Sequence, residues 1–220
     1  EILMTTGPAA RDWYVNWAKT PVEKIVISGS KRYTEPLPLK TEEKDRQHSL
    51  RVLFIGGLWH ELGILADYVE EEEQLFKNCE LLIRKYPFSW QGDQDAGIVR
   101  LRTYVPNLKT GNEPLTEQLE WCDVAIFCHT SAGIEAMLHG RFSIYLELHD
   151  IFKLDPLEGK GDLSKLECCS SPSELKQSLA RVQNMSQTEF LNSISIQIDF
   201  ARQIYSPVDK LKIAEICQLS

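Results

Sequence analysis

From residue 50 onward the chain alternates two hydrophobic patterns. Four short runs are apolar at most positions: 51–55, 80–83, 124–128 and 142–148. Runs of this length are typical of strands that a parallel sheet buries on both faces. Segments 61–76 and 115–121 instead repeat apolar residues at helical spacing. Strands that alternate with helices predict an α/β fold, a doubly wound parallel sheet flanked by helices with right-handed crossovers.

The same criteria assign the remaining segments. A short third strand is predicted at 98–101, and the GDQDAG stretch before it, with Asp93 and Asp95, is predicted to be a turn. An edge strand is predicted at 166–169, after a polar loop at 155–164. Three helices are predicted towards the C-terminus, at 173–183, 187–204 and 207–216. The first 35 residues predict a strand, a helix and a strand, at 2–5, 8–18 and 24–28.

Residues 1–35 are predicted to be the remnant of a preceding N-terminal domain. A segment of this size does not bury Trp13 and Trp17 alone, and the exposed apolar surface that results favours self-association. Residues 36–49 are polar, charged and interrupted by proline, which is the composition of a linker. The domain boundary is therefore expected there, followed by one domain over residues 50–220.

The segment 123–148 is predicted to be a strand, a sharp turn, a short helix and a second strand. The sequence HTS at 129–131 supplies the turn and the helix N-cap, and Gly140 is placed to end the helix. Ligands of open parallel sheets bind outside the carboxyl ends of the strands. The turn at 129–131 is therefore the first candidate for a binding site.

This turn has the chemistry of a nucleotide site. Thr130, Ser131 and Gly133 offer backbone amides at a helix start, where the helix dipole favours a phosphate. Glu135 does not have the spacing of a capping box with either residue that can cap the helix. Its carboxylate is suited to accept hydrogen bonds from a pair of ribose hydroxyls. The alternative is an ordinary first-turn glutamate that the helix dipole favours.

Other candidates fall at the same edge of the predicted sheet. Gly57, after the strand at 51–55, either lets the backbone approach a phosphate or sugar or only makes a tight turn. His60 either touches substrate or is a surface histidine. Arg84 and Tyr86 follow the strand at 80–83, where a guanidinium can neutralise a phosphate and a tyrosine can stack on a base. The alternative for this pair is a solvated strand end.

Charge, apolar run length, cysteine spacing and one motif argue against several classes of function. The 220 residues have a formal net charge of −8 without a compensating basic patch, which argues against a nucleic-acid surface. No apolar run is as long as a membrane span, and no signal-peptide pattern is present. Six cysteines lack CxxC or metal-ligand spacing, which predicts free thiols in a reducing, cytoplasmic compartment. HTSAG lacks the first glycine of a nucleophile elbow, so a hydrolase is disfavoured.

Two sequences in the segment 51–148 resemble those of a known family. The chain is similar to the C-terminal, donor-binding domain of GT-B glycosyltransferases of bacterial surface-carbohydrate and capsule biosynthesis, a fold related to UDP-GlcNAc 2-epimerases. In that group an S/T-S-x-G-x-E-A-x-x-x-G segment binds the nucleotide sugar, and here it is matched at Thr130, Ser131, Gly133, Glu135, Ala136 and Gly140. The family's K-x-H-P stretch is matched only in part, since Tyr86 stands where histidine is usual. Residues 5–33 also resemble the tail of the family's N-terminal domain.

The resemblance implies one Rossmann-like half of a GT-B enzyme, with a nucleotide sugar as substrate and no metal or other cofactor. It implies that Thr130, Ser131 and the Gly133 amide hold phosphate, that Glu135 holds the ribose, and that Gly57 and Tyr86 flank the donor. In this family the acceptor site and general base lie on the N-terminal domain. That missing domain is therefore the expected partner, no catalytic residue is assigned, and the chain is expected to be inactive alone.

Two other functions remain open on the sequence. One is a 2-epimerase-like enzyme that converts a sugar nucleotide without an acceptor. The other is a non-catalytic, Rossmann-like interaction module, in which the segment 130–135 is merely a capped helix. The nucleotide base, the sugar, the acceptor and the stereochemistry of transfer depend on loops that carry no recognisable code.

Overall fold

The structure is a computed structural model that describes residues 2–33, 49–58, 60–85, 91–148, 157 and 162–218, with the backbone alone at 91–95. Within these ranges the strands are Leu3–Thr5 (β1), Ile25–Ile27 (β2), Leu50–Ile55 (β3), Cys79–Arg84 (β4), Lys109–Gly111 (β5), Val124–Phe127 (β6), Phe142–Leu146 (β7) and Glu167–Cys169 (β8). The helices are Pro8–Asn16 (α1), Glu61–Glu71 (α2), Gln91–Tyr104 (α3), Leu115–Trp121 (α4), Ala132–Leu138 (α5), Pro172–Asn184 (α6), Gln187–Ile204 (α7) and Lys210–Gln218 (α8).

Six strands form one parallel sheet in the order β5-β4-β3-β6-β7-β8. The chain moves outward from β3 to β5 and then returns to the centre to build β6, β7 and β8 on the other side. The predicted doubly wound parallel sheet is confirmed. The order reverses between β3 and β6, and the crevice at the carboxyl ends of these two strands is where such sheets bind ligands.

Alternate residues of the central strands face two different apolar layers. Val52 and Phe54 point into a layer shared with α2, α3 and α6, whereas Leu53 and Ile55 point into a layer shared with α4 and α5. All four side chains are almost completely buried. Burial on both faces explains why these strands are continuous apolar runs rather than alternating ones.

Two predictions about residues 92–101 were wrong. The predicted strand at 98–101 and the predicted turn in GDQDAG both lie within α3. Ile98, Leu101 and Val105 are buried at a spacing of three and four residues, which is one face of a helix. The third strand of the six-stranded sheet in chain order is instead the short edge strand β5.

The other predicted elements recur with small shifts, and α4 and α7 have the predicted bounds. The predicted helix 61–76 ends at Glu71, and Leu75 and Phe76 beyond it are buried in a turn. Most of the linker prediction and most of the predicted loop at 155–164 lie outside the described residues.

Strands β1 and β2 pair in parallel outside the six-stranded sheet and form, with α1 and residues 28–33, an N-terminal unit. This unit is held by the chain that follows α7. The amide of Ser206 donates to the carbonyl of Thr6 at 2.9 Å, and the amide of Asp209 donates to the carbonyl of Ser28 at 3.0 Å. Gly29 has a φ of +84°, and a Cβ there would lie 1.9 Å from a backbone oxygen of Pro207. The two segments are therefore in close backbone contact.

Candidate functional site

The turn between β6 and α5 is built by local hydrogen bonds. Ser131 is the N-cap residue of α5, but its side chain makes no capping bond to the helix. The hydroxyl of Thr130 instead accepts a hydrogen bond from the amide of Ala132 at 3.3 Å. Gly140 has a φ of +67° and follows the end of the helix, as its position in the sequence predicts.

Gly133 is needed where the first turn of α5 packs on β6. A Cβ at this position would lie 2.2 Å from the ring of Phe127, so only glycine fits without movement of the ring or helix. The residue is buried. Packing alone accounts for the glycine, and its contact with a ligand through the amide stays a prediction.

Glu61 joins the loops that follow β3 and β6. Its side chain is fully buried, and its carboxylate accepts hydrogen bonds from the amides of Gly57 at 2.5 Å and His129 at 3.2 Å. The ring of His129 contacts the same carboxylate through Nδ1 at 2.8 Å. These contacts fix both loops at the point where the strand order reverses.

Gly57 also touches the second loop directly. A Cβ on this residue would lie 2.3 Å from the carbonyl oxygen of His129, so the absence of a side chain lets the two loops meet. His60 is half-buried just before α2, with its ring 6.3 Å from that of His129. Both candidates therefore lie beside the turn at 129–131, as predicted from their positions after strands.

The carboxylate of Glu135 contacts Arg32 and also senses the charge of Arg84. Its Oε1 is 3.2 Å from Nη1 of Arg32, and the same nitrogen donates to the hydroxyl of Ser131. Burial raises the pKa of the Glu135 carboxyl, and the guanidiniums of Arg32 and Arg84 oppose this shift. The site therefore contains a half-buried acceptor that is stabilised by two positive charges.

Arg84 reaches this place from the end of β4. Its Nη1 donates to the backbone oxygen of Glu113 and to the side-chain oxygen of Gln118, both at 2.7 Å. Burial lowers the pKa of this guanidinium, and the carboxylates of Glu135 and Glu113 oppose that shift. Arg84 is therefore positioned by α4 and the loop before it, not held as a fully solvated strand end.

The structure brings five of the predicted binding residues to one edge of the sheet: Gly57, Arg84, Thr130, Ser131 and Glu135. Gly133 lies on the same short helix but faces the core, and Tyr86 lies outside the described residues. Arg32 and Glu61 were missed by the sequence analysis. No local pattern marks their contacts with Glu135 and His129, because these residues are 103 and 68 positions away.

The neighbouring cysteine is unsuited to act as a nucleophile. The thiol of Cys128 is fully buried, and burial raises its pKa well above the usual value, with a smaller contribution from the charge of Glu61. All six cysteines are free thiols, as predicted. Among the described residues, no three histidine, cysteine or acidic side chains gather as a metal site. Each helix in the described ranges is too short or too polar to cross a lipid bilayer.

Comparison with known proteins gives matches in structure alone. No protein-family model matches the chain, and no curated protein sequence does. HepE from Anabaena, crystallised with UDP and glucose, has a TM-score of 0.62 at 13% identity. The alignment covers 99% of this chain and 62% of HepE. A mutant of TarM from S. aureus, crystallised with fondaparinux, α-GlcNAc-glycerol and UDP, has a TM-score of 0.56 at 13% identity. It covers 99% of this chain and 43% of TarM.

The wall teichoic acid polymerase TagF has a TM-score of 0.51 at 14% identity and covers 98% of this chain and 55% of TagF. The chain has the GT-B fold. It spans 43% to 62% of the length of these three structures. Identities of 13% and 14% establish the fold alone. In this GT-B half, Arg32, Arg84 and Glu135 lie at the carboxyl edge of the six-stranded sheet.

Proposed function

We propose that the chain is the nucleotide-sugar donor-binding domain of a metal-independent glycosyltransferase for cell-surface polysaccharide biosynthesis. The observation that carries the proposal is the half-buried carboxylate of Glu135, beside Arg32 and Arg84, at the reversal point of a GT-B-type sheet. A carboxylate in this place accepts hydrogen bonds from adjacent ribose hydroxyls, while neighbouring positive charge favours the phosphates of the same molecule.

Each residue at the edge has a proposed role in this complex. Thr130, Ser131 and the amide of Gly133 hold the phosphates, and Arg84 neutralises part of their charge. Gly57 and Tyr86 flank the donor. The positive charges and backbone amides stabilise the leaving phosphate or diphosphate, which is the role that a metal ion has in other transferases.

The solved structures of similar fold indicate which donors to test first and which kind of pathway to consider. HepE and TarM were crystallised with UDP, so UDP-sugars are the first donors to test. TagF is a wall teichoic acid polymerase, which supports a role in bacterial surface polymers. The six free thiols favour a reducing compartment, and we propose a cytoplasmic location.

The proposed partner is a missing N-terminal domain that supplies the acceptor site and the general base. Residues 1–35 then belong to that domain, 36–49 form the linker and 50–220 form the donor domain. Trp13 and Trp17 support this division, because their rings stack 4.6 Å apart while their exposed fractions are 38% and 71%. On this proposal the chain alone transfers no sugar, and transfer to an acceptor by the isolated chain would contradict it.

The same exposed tryptophans lead us to propose self-association of the isolated chain. Sedimentation velocity is expected to show dimers or larger species at micromolar concentration, and Trp17→Ser is expected to reduce them. Lys19→Ser, an exposed change beside the same helix, is the matched control. A wild-type chain that remains strictly monomeric over this range would count against the proposal.

Calorimetry with a panel of UDP-, CMP-, GDP- and dTDP-sugars tests the donor site. One nucleotide is expected to bind selectively, and Glu135→Ala is expected to abolish the binding. Glu117→Ala is the control, since Glu117 is also an acidic residue in the first turn of a helix. Absence of binding across the panel by a folded protein would favour the interaction module. Conversion of a sugar nucleotide without an acceptor would instead identify a 2-epimerase-like enzyme.

A further inference from the structure

We propose that Arg32 is a positioning residue of the donor site, which fixes Ser131 as a hydrogen-bond donor and Glu135 as a hydrogen-bond acceptor. This inference rests on the proposed nucleotide-sugar function. It adds a residue from the N-terminal unit to a site that is otherwise built from the six-stranded sheet.

The contact with Ser131 determines which way the hydroxyl acts. A guanidinium has five N–H donors and no acceptor, so the Oγ of Ser131 must accept when Arg32 contacts it. The hydrogen of the same hydroxyl is then directed elsewhere. The oxygen is not also used as a helix cap, because Ser131 accepts no side-chain capping bond from α5. Ser131 is thus left to donate to an acceptor-only group such as a phosphate oxygen.

The contact with Glu135 keeps the carboxylate available as an acceptor. Arg32 contacts Oε1 at 3.2 Å, while an ionised carboxyl group accepts several hydrogen bonds through its two oxygens. Burial favours the protonated form of Glu135 and so raises its pKa. Arg32 opposes this shift more strongly than Arg84 on β4 does. Arg84 in turn faces Glu113. Removal of Arg32 is therefore expected to make Glu135 easier to protonate.

The backbone of Arg32 is held in place by its neighbours. The amide of Tyr33 donates to the carbonyl of Ser30 at 3.0 Å, and the amide of Arg32 donates to the hydroxyl of Ser30 at 3.1 Å. The amide of Ser30 donates to the carbonyl of Ser206 at 2.9 Å. Tyr33 also packs against the apolar layer that contains α4 and α5. The turn that carries Arg32 is thus anchored to the same body as the site.

This arrangement couples the N-terminal unit to nucleotide affinity. The Ser30–Tyr33 turn follows β2 closely, and it carries the guanidinium that contacts Ser131 and Glu135. We therefore expect substitutions of Arg32 to change the affinity of the nucleotide and its dependence on pH, not the overall stability of the fold.

The first measurement needs no ligand. Glutamate labelled with carbon-13 in the side chain allows the titration of Glu135 to be followed by NMR, with Glu135→Gln to assign its signal. In Arg32→Gln the midpoint is expected at a higher pH than in wild type, whereas Arg32→Lys is expected to restore part of the difference. Arg11→Gln, a change in the same unit whose guanidinium contacts Asp12, is the control and leaves the midpoint unchanged. An unchanged midpoint in Arg32→Gln would overturn the inference.

The second measurement is nucleotide affinity by calorimetry between pH 5.5 and pH 8, with UDP as the first probe. Arg32→Gln is expected to bind about tenfold more weakly at neutral pH. The loss is expected to grow as the pH falls, because protonated Glu135 no longer offers two acceptor oxygens. Equal affinities for Arg32→Gln and wild type, or a loss that is constant with pH, would overturn the inference. If the NMR midpoint moves but wild type binds no nucleotide of the panel, the proposed function fails while the Arg32–Glu135 coupling stands.

Discussion

The carboxyl and amino ends of the strands form two opposite edges of the six-stranded sheet. These two edges use polar residues in opposite ways. At the carboxyl edge, Arg32, Arg84 and Glu135 are half-buried or exposed and belong to elements that are far apart in sequence. At the amino edge, Asp123, His139 and Arg141 are each about 8% exposed. A polar group that retains contact with water can exchange that water for a ligand, whereas a buried one has already lost it on folding.

An ion pair at the amino edge, between Arg51 and Asp123, connects the starts of two central strands. The carboxylate of Asp123, just before β6, accepts from the amide of Arg51 at 3.1 Å and from its Nη2 at 3.3 Å. The amide of Asp123 returns a hydrogen bond to the carbonyl of Arg51 at 2.8 Å. These bonds fix the register of β3 against β6. On our proposal the carboxyl edge serves binding, whereas the contacts at the amino edge hold the strands together.

The largest effect is expected from Glu61, which lies at the carboxyl edge but is fully buried. Glu61→Ala leaves the amides of Gly57 and His129 and the ring of His129 without their acceptor. We expect the free energy of unfolding to fall by about 3 kcal/mol or more in urea titrations. Glu71→Ala, at the exposed end of the same helix, is expected to change it by less than about 0.5 kcal/mol. A Glu61→Ala protein as stable as the Glu71→Ala control would show that the buried contacts of Glu61 do not stabilise the fold.

The next effect concerns Gly133. Gly133→Ala places a methyl group against the ring of Phe127, and overpacking of this kind costs about 1–3 kcal/mol. Gly63→Ala is the matched control, because a Cβ there meets no atom within 4 Å and alanine favours the helix. Thermal unfolding of the two variants is expected to shift in opposite directions. Equal melting temperatures would show that α5 does not pack on β6 as described.

Near the amino edge, Gln197 completes the hydrogen bonding of β7. Its side-chain amide accepts from the amide of Ser143 and donates to the carbonyl of Ser143, both at 2.8 Å, inside the core. Gln197→Ala is expected to lower the free energy of unfolding by about 2 kcal/mol. Nucleotide affinity is expected to be unchanged where the protein is folded, and Gln203→Ala on the exposed face of the same helix is the control. A selective loss of affinity in Gln197→Ala would break the division between the two edges.

The smallest effect is a pH dependence at the amino edge. Burial lowers the pKa of His139 below its ordinary value of 6.5, and the charge of Arg141 lowers it further. The folded protein therefore binds this proton less readily than the unfolded chain does. The contribution of His139 to stability is complete above pH 6.5 and is lost as the pH falls through the unfolded and then the folded pKa. Urea titrations at pH 7.5 and pH 5.5 are expected to show a smaller difference for His139→Gln than for wild type.

The sequence predicted the parts of the fold that depend on local pattern. The central strands were predictable because burial on both faces leaves few polar residues in them. Strand β5 was not, because its Lys109 and Thr110 are exposed at the edge of the sheet. Helix α3 was mistaken for a strand and a turn because its buried residues are sparse and its first half is rich in glycine and aspartate.

The candidate site was predictable to a similar extent. Ser131 and Glu135 were predicted as site residues because ligands bind where strands end, a rule that needs only the order of elements. Arg32 was missed because its position depends on how the N-terminal unit packs on the chain after α7. Glu61 was missed because a glutamate in the first turn of a helix is usually solvated, whereas here two loops close over it.

The most direct test of the account is a titration of UDP and the donor panel into nitrogen-15-labelled protein, followed by amide chemical shifts. The account predicts that the largest shifts occur at Gly57 and at residues 129–135, while the amides of Arg51, Asp123 and Arg141 stay in place. Shifts centred on the amino edge, or no shifts with any nucleotide at saturating concentration, would contradict the assignment of the carboxyl edge as a donor-binding site.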